Sequence, residues 1–138
     1  MFDFLLRPLR RRYGQDREFY AAIDDMFGFI PNNIELYKLA LIHKSASVEL
    51  EDGSHINNER LEFLGDAVLE LVSSEFLFKE HVQMPEGELT KMRASMVCEP
   101  SLAFCARDLE LGQFMLLGKG EENTGGRHRD SIISDAME

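Results

Sequence analysis

Tryptophan is absent from this 138-residue chain, and cysteine and proline are scarce, with 2 Cys and 4 Pro. Cys98 and Cys105 stand seven positions apart, which supports neither a disulfide framework nor a zinc site. They read as small buried hydrophobes in a helical stretch. The 10 Gly follow no period, so collagen-like and low-complexity readings fall away. No apolar run approaches the roughly 18 residues that cross a bilayer. Positive charge is also short. Lys plus Arg is 15 against 25 Asp plus Glu, a net charge of −10. A chain that binds nucleic acid by charge alone is basic, so the balance argues against simple phosphate binding. It permits a carboxylate cluster around a divalent cation, which reverses the local sign. What remains, 44% hydrophobic and 29% charged residues, suits one globular domain of a reduced, soluble, cytoplasmic protein with no membrane partner.

The charge is uneven. Residues 1–17 carry five arginines against Asp3 and Asp16, a net +3, so the remainder carries −13. Residues 1–16, an apolar MFDFLL followed by RPLRRRYG, read as a basic N-terminal extension. The order apolar then basic, without a small-residue cleavage site, does not fit a secretory signal. Residues 17–138 read as a single all-α domain. Phe19, Ile23, Met26 and Phe27 share a face of a first helix that Gly28 ends. Asn32 or Asn33 caps a second, whose apolar stripe is Leu36, Leu39, Ala40 and His43. His43 on that stripe reads as a hydrogen-bonded core histidine. A polar loop follows. The longest helix runs from about Asn57 to Lys79, and Pro85 with Gly87 marks the start of the next. Pro100 opens a further helix closed by Gly112, and a Gly-rich connection leads to a last helix, DSIISDAME. No alternating strand pattern of useful length is present.

The chemistry lies on two of these helices. Glu59, Glu62 and Asp66 fall within roughly 60° of arc on the long helix, with Glu70 one turn on. Their neighbours Leu61, Phe63, Leu64, Ala67 and Val68 are apolar, so the acidic row borders a core. Like charges there need a compensating partner, either a cation such as Arg60 or Arg93, or a metal. Asp135 and Glu138 share a face of the last helix among Ile132, Ile133, Ala136 and Met137. Two carboxylate rows turned toward one cleft make an oxygen-only site, suited to Mg²⁺ or Mn²⁺ rather than Zn²⁺. Such a site fits phosphodiester hydrolysis.

The stretch NERLEFLGDAVL, residues 58–69, resembles the signature of the ribonuclease III family of double-stranded-RNA endonucleases. Family-like blocks follow the same order: LALIHKSAS at 39–47, GELTKMRA at 87–94, LGKGEE at 117–122 and DSIISDAME at 130–138. The resemblance implies a helical nuclease-domain bundle over residues 17–138. It implies that Glu59, Asp66, Asp135 and Glu138 are catalytic, and that Glu62, Asp66, Asp135 and Glu138 hold Mg²⁺, with Mn²⁺ able to substitute. Water would attack the scissile phosphorus in line, leaving 5′-phosphate and 3′-hydroxyl ends. Phe63, an apolar core residue by periodicity alone, would seat in a second subunit. A homodimer would then cut both strands of a duplex, giving two-nucleotide 3′ overhangs, in the processing of ribosomal and other RNA precursors. Glu88 reads as a first-turn charge or an RNA-side group. Lys119, Arg127 and Arg129, on or beside the Gly-rich loop, read as solvated cations or as phosphate contacts.

Two departures from the family bear on activity. No double-stranded-RNA-binding domain follows, and the chain stops at Glu138, itself an expected metal ligand. Helix ends fray, so the expectation is a nuclease domain truncated before its last helix is complete. Two rivals follow. One is a catalytically inactive duplex-RNA-binding module of the same fold. The other is an all-α Mg-dependent nucleotide pyrophosphohydrolase, which leaves residues 58–69 unexplained.

Overall fold

The computed structural model describes residues 16–138; the expected basic extension, Asp16 apart, lies outside them. The described residues contain seven α-helices, three short 3₁₀ turns and one two-stranded ribbon, so the fold is all-α. Two compact units are present, divided between Tyr37 and Lys38.

The first unit contains helix α1, Arg17–Phe27, and the start of α2, Ile34–Ala40. Gly28 ends α1 as the sequence suggested: its φ of 72° is left-handed, and its N–H reaches the Asp24 carbonyl. Asn33 Oδ1 accepts the Glu35 N–H at 3.2 Å, satisfying a donor at the start of α2. Ile23 and Ile34 are buried, while Leu36 is exposed. The Phe29 ring lies 6.1 Å from Phe27 and 6.3 Å from Tyr37, the second pair edge-on.

The second unit takes in the end of α2, then a 3₁₀ turn, Lys44–Ala46, and a ribbon pairing β1, Val48–Glu49, with β2, His55–Ile56. Helix α3 spans Glu59–Glu80, and α4, Glu86–Met96, returns against it after Pro85. Helix α5, Glu99–Asp108, packs most extensively on α7, Asp130–Met137. Between them lie a 3₁₀ turn at Leu111–Phe114, the short α6 at Lys119–Asn123 and a 3₁₀ turn at Gly126–His128. Ala103 and Ala106 are fully buried, and their small side chains let α7 approach closely with Ile132 and Ile133. Leu77, Leu102, Leu111 and Met115 complete this core.

Two expectations are corrected here. Cys105 is exposed and Cys98 is only half-buried, because Leu102, Ala103 and Ala106 take the buried face of α5. Cys98 sits at the N-cap, its Sγ 3.3 Å from the Ser95 carbonyl and from Ser101 Oγ. The helix expected to close at Gly112 ends at Asp108, because Glu110 already turns the backbone left-handed with a φ of 54°. Among the described residues no helix is long and apolar enough to cross a membrane.

Candidate active site

Helix α3 is about 33 Å long at 1.5 Å per residue. At about 100° per residue, Glu59, Glu62, Asp66, Ser73 and Leu77 cluster on one side. Ser73 and Leu77 are its buried residues, so the carboxylate row lies on the side turned toward the rest of this unit. The opposite side carries Leu64, Val68, Leu71 and Phe78, which are 58%, 50%, 69% and 74% exposed. Phe63, on its flank, is 82% exposed and is not part of this chain's core.

Gly65 explains how the second carboxylate pair reaches the first. A Cβ built there would fall 1.9 Å from the Glu138 carbonyl oxygen. Only a residue without a side chain lets the end of α7 lie directly on α3 at this point. The last turn of α7 is closed there, with the Glu138 N–H donating to the Ser134 carbonyl at 3.0 Å. The segment leading into α7 is tied down as well. Arg127 bonds Glu122 and donates to the Gly112 carbonyl at 2.7 Å, and Arg129 bonds Glu121.

The electrostatics show that the four carboxylates feel one another. Burial pushes the Glu138 carboxyl up to about 7, and Asp66, Glu62 and Asp135 add to the rise. Glu62 is raised by burial, then by Asp135 and Glu59. Asp135 is raised by burial, against the opposing pull of Lys44 and His43. Among the described residues no three His, Cys, Asp or Glu side chains converge tightly enough to share one ion as they stand. The carboxylates are therefore electrostatically coupled neighbours rather than a closed cage. The donor set itself, carboxylate oxygen throughout, fits a hard cation.

The other expected residues are placed as follows. His43 is buried, as its apolar stripe suggested. Its Nδ1 faces both the Ser45 hydroxyl at 2.7 Å and the Ser45 N–H at 3.2 Å. Two donors at Nδ1 put the ring proton on Nε2, and burial lowers the imidazole pKa. Arg93 donates to Ser74 Oγ at 2.9 Å rather than to a carboxylate. Glu88 pairs with Lys91 on its own helix at 2.9 Å, and Lys119 is exposed at the start of α6. Arg127 and Arg129 are engaged in the loop bonds above. Asn58, just ahead of Glu59, is buried with its Nδ2 lacking a protein partner. Lys44 escaped the sequence reading; its Nζ stands 3.9 Å from Glu59 Oε1.

A profile of the Ribonuclease-III-like family matches residues 33–138, most of the chain and all of this site. The chain belongs to the ribonuclease III family. Ribonuclease 3 of Staphylococcus haemolyticus (strain JCSC1435) is 57% identical over 119 residues, covering 86% of this chain and 49% of that protein. Ribonuclease 3 of Staphylococcus aureus (strain JH9) is 56% identical over 111 residues, covering 80% of this chain and 46% of its own length. This ribonuclease III family chain thus spans about half the length of the curated relatives it matches. Among solved structures, the nuclease domain of ribonuclease III from Campylobacter jejuni superimposes with a TM-score of 0.75 at 43% identity, covering 84% of this chain and 77% of that one. That structure is described for flexibility in a region involved in dimer formation. A second structure of the same domain, at 2.2 Å resolution, gives a TM-score of 0.74.

Proposed function

We propose that this chain is the nuclease domain of a Mg²⁺-dependent endoribonuclease that cleaves double-stranded RNA. The observation that carries the reading is the seating of α7 on Gly65, which brings Glu138 into electrostatic contact with Glu62, Asp66 and Asp135. Glu62, Asp66, Asp135 and Glu138 would hold Mg²⁺, or Mn²⁺ in its place. Bound there, the ion would supply a Lewis acid for the phosphodiester and lower the pKa of water. The chain's own part is to hold four carboxylates in one place and in the charged form. Glu138, pushed up to about 7, gives up its proton as it does so, which makes cation binding tighter at higher pH. Glu59, paired loosely with Lys44, stands at the rim where substrate would approach. The products would be 5′-phosphate and 3′-hydroxyl ends with two-nucleotide 3′ overhangs, from ribosomal and other RNA precursors.

The working unit is a homodimer. The outward face of α3 supports this, because exposed large apolar side chains grouped on one helix face mark an interaction site. Phe63, Leu64, Val68 and Leu71 would contact the second copy and leave the carboxylate face uncovered. Leu71→Asp would shift sedimentation from dimer to monomer without loss of helical signal.

The deciding experiment is cleavage of a long, perfectly paired RNA in Mg²⁺ and in Ca²⁺, with single-stranded RNA and Asp66→Asn as controls. Short duplex products with two-nucleotide 3′ overhangs, only in Mg²⁺ and only with Asp66 intact, are the expected result. Release of pyrophosphate from nucleoside triphosphates without RNA cutting would overturn it.

A further inference from the structure

Lys44 stands beside the carboxylate cluster on a turn held from two sides. Its carbonyl accepts the Ser47 hydroxyl at 2.7 Å. Ser47 Oγ in turn accepts from Asn57 Nδ2 at 2.9 Å, and Asn57 Oδ1 accepts the Glu59 N–H at 3.1 Å. One side of the turn is thereby fixed to the start of α3. On the other side, Ser45 Oγ accepts the Gly118 N–H at 2.9 Å. A Cβ at Gly118 would lie 2.3 Å from the Ser45 carbonyl oxygen, so the two segments touch backbone to backbone. The parallel bridge between Ile42 and Leu116 continues the same seam. The backbone of Lys44 is thus set relative to Glu59, while its side chain is 63% exposed.

The ion pair it makes is loose. At 3.9 Å, with the Glu59 side chain 55% exposed, it is a solvent-screened surface pair that contributes little to stability. Breaking it costs little. Arg127 and Arg129, by contrast, are engaged by Glu122 and Glu121. A chain of net charge −10 whose site is a carboxylate cluster repels a polyphosphate backbone. A cation at the rim of that cluster offsets the repulsion at the place where substrate must enter. An ammonium on a flexible stem binds phosphate as a point charge without demanding one orientation.

We propose that Lys44 is a substrate-positioning residue: its ammonium leaves Glu59 for a backbone phosphate of the RNA and seats the strand against the acidic face. The inference rests on the nuclease reading above and adds to it a residue that the carboxylate pattern does not contain.

The test compares the parent chain with Lys44→Ala and Lys44→Arg on one duplex RNA in Mg²⁺, reading KM and kcat separately. The same substitutions on an Asp66→Asn background give binding as a function of salt. Lys44→Ala should raise KM by roughly tenfold, the loss of one charge-assisted contact, with kcat changed far less. The slope of log affinity against log salt should fall by about one. Lys44→Arg should restore both, and melting temperature should hold in all variants. A parent that cuts RNA while Lys44→Ala keeps its KM and salt slope overturns the assignment of Lys44 alone. So does a loss confined to kcat. A parent that neither binds nor cuts duplex RNA overturns the nuclease reading, and this inference with it.

Discussion

Replacing Gly65 with alanine tests the contact on which the site depends. A mid-helix Gly→Ala change normally stabilises by about 1 kcal/mol through helix propensity. Here the new Cβ would meet the Glu138 carbonyl oxygen at 1.9 Å and its carbon at 2.4 Å, where ordinary contact begins at 3.4 Å. Both partners are backbone, so no rotamer change relieves the overlap. Overpacking of this kind costs about 1–3 kcal/mol or more, and an overlap of over an ångström belongs at the upper end. The net expectation is a loss of about 2 kcal/mol, or roughly 6–8 °C in Tm for a domain of this size. Gly87→Ala and Gly120→Ala are matched controls, since nothing lies within 4 Å of a Cβ at either position. They should be neutral or stabilising by up to about 1 kcal/mol. Thermal unfolding followed by circular dichroism reads all three. On the proposed metal site Mg²⁺ should raise Tm, and the substitution should blunt that rise, because Glu138 is pushed away from Glu62 and Asp66. A Gly65→Ala chain that melts at or above the parent temperature would refute the reasoning, since α7 would then not rest on α3 at this point.

Three further outcomes follow from the same structure. The Glu138 carboxyl is raised from 4.5 to about 7, so the folded state holds its proton more tightly than the unfolded chain across that window. Stability without divalent cation should therefore fall as pH rises from 4.5 through about 7, and Mg²⁺ should oppose the fall; a flat Tm profile over that range would contradict it. Leu77 is 2% exposed and Val82 is 76% exposed. Leu77→Ala should cost about 2–5 kcal/mol in urea unfolding and Val82→Ala less than about 0.5, and equal effects would misplace the core. Glu110 holds a φ of 54°, and its side chain accepts an exposed bond from Gln113 Nε2 at 2.7 Å. Glu110→Gly should stabilise by about 0.5–1 kcal/mol, checked by the same unfolding curves; a loss would show that the left-handed turn carries no strain.

Local signals made the helices readable. The Asn57–Lys79 reading of the long helix falls within two residues of Glu59–Glu80, because an uninterrupted run of good helix formers is bounded by a polar loop and by Pro85. Gly28 was readable as a stop because a left-handed cap favours glycine. The carboxylate rows were readable from spacing, since offsets of three and seven fix a common face in any helix. The inward face of α3 was not readable. Apolar residues surround its carboxylates in sequence, so periodicity alone leaves Phe63 as core. The structure instead leaves Leu64, Val68 and Leu71 at least half exposed. Strands of two residues are too short to alternate, which hid the Val48–Ile56 ribbon. Lys44 gave no signal for a different reason. Its place is fixed by Asn57 on one side and Gly118 on the other, and only folding brings 118 to 45. Gly65 is the sharpest case. In the run of residues 58–69 it looks like a weak point in a helix that would prefer alanine. Its necessity lies 73 residues away, in the carbonyl of Glu138, and a helix-by-helix reading has no means of seeing it.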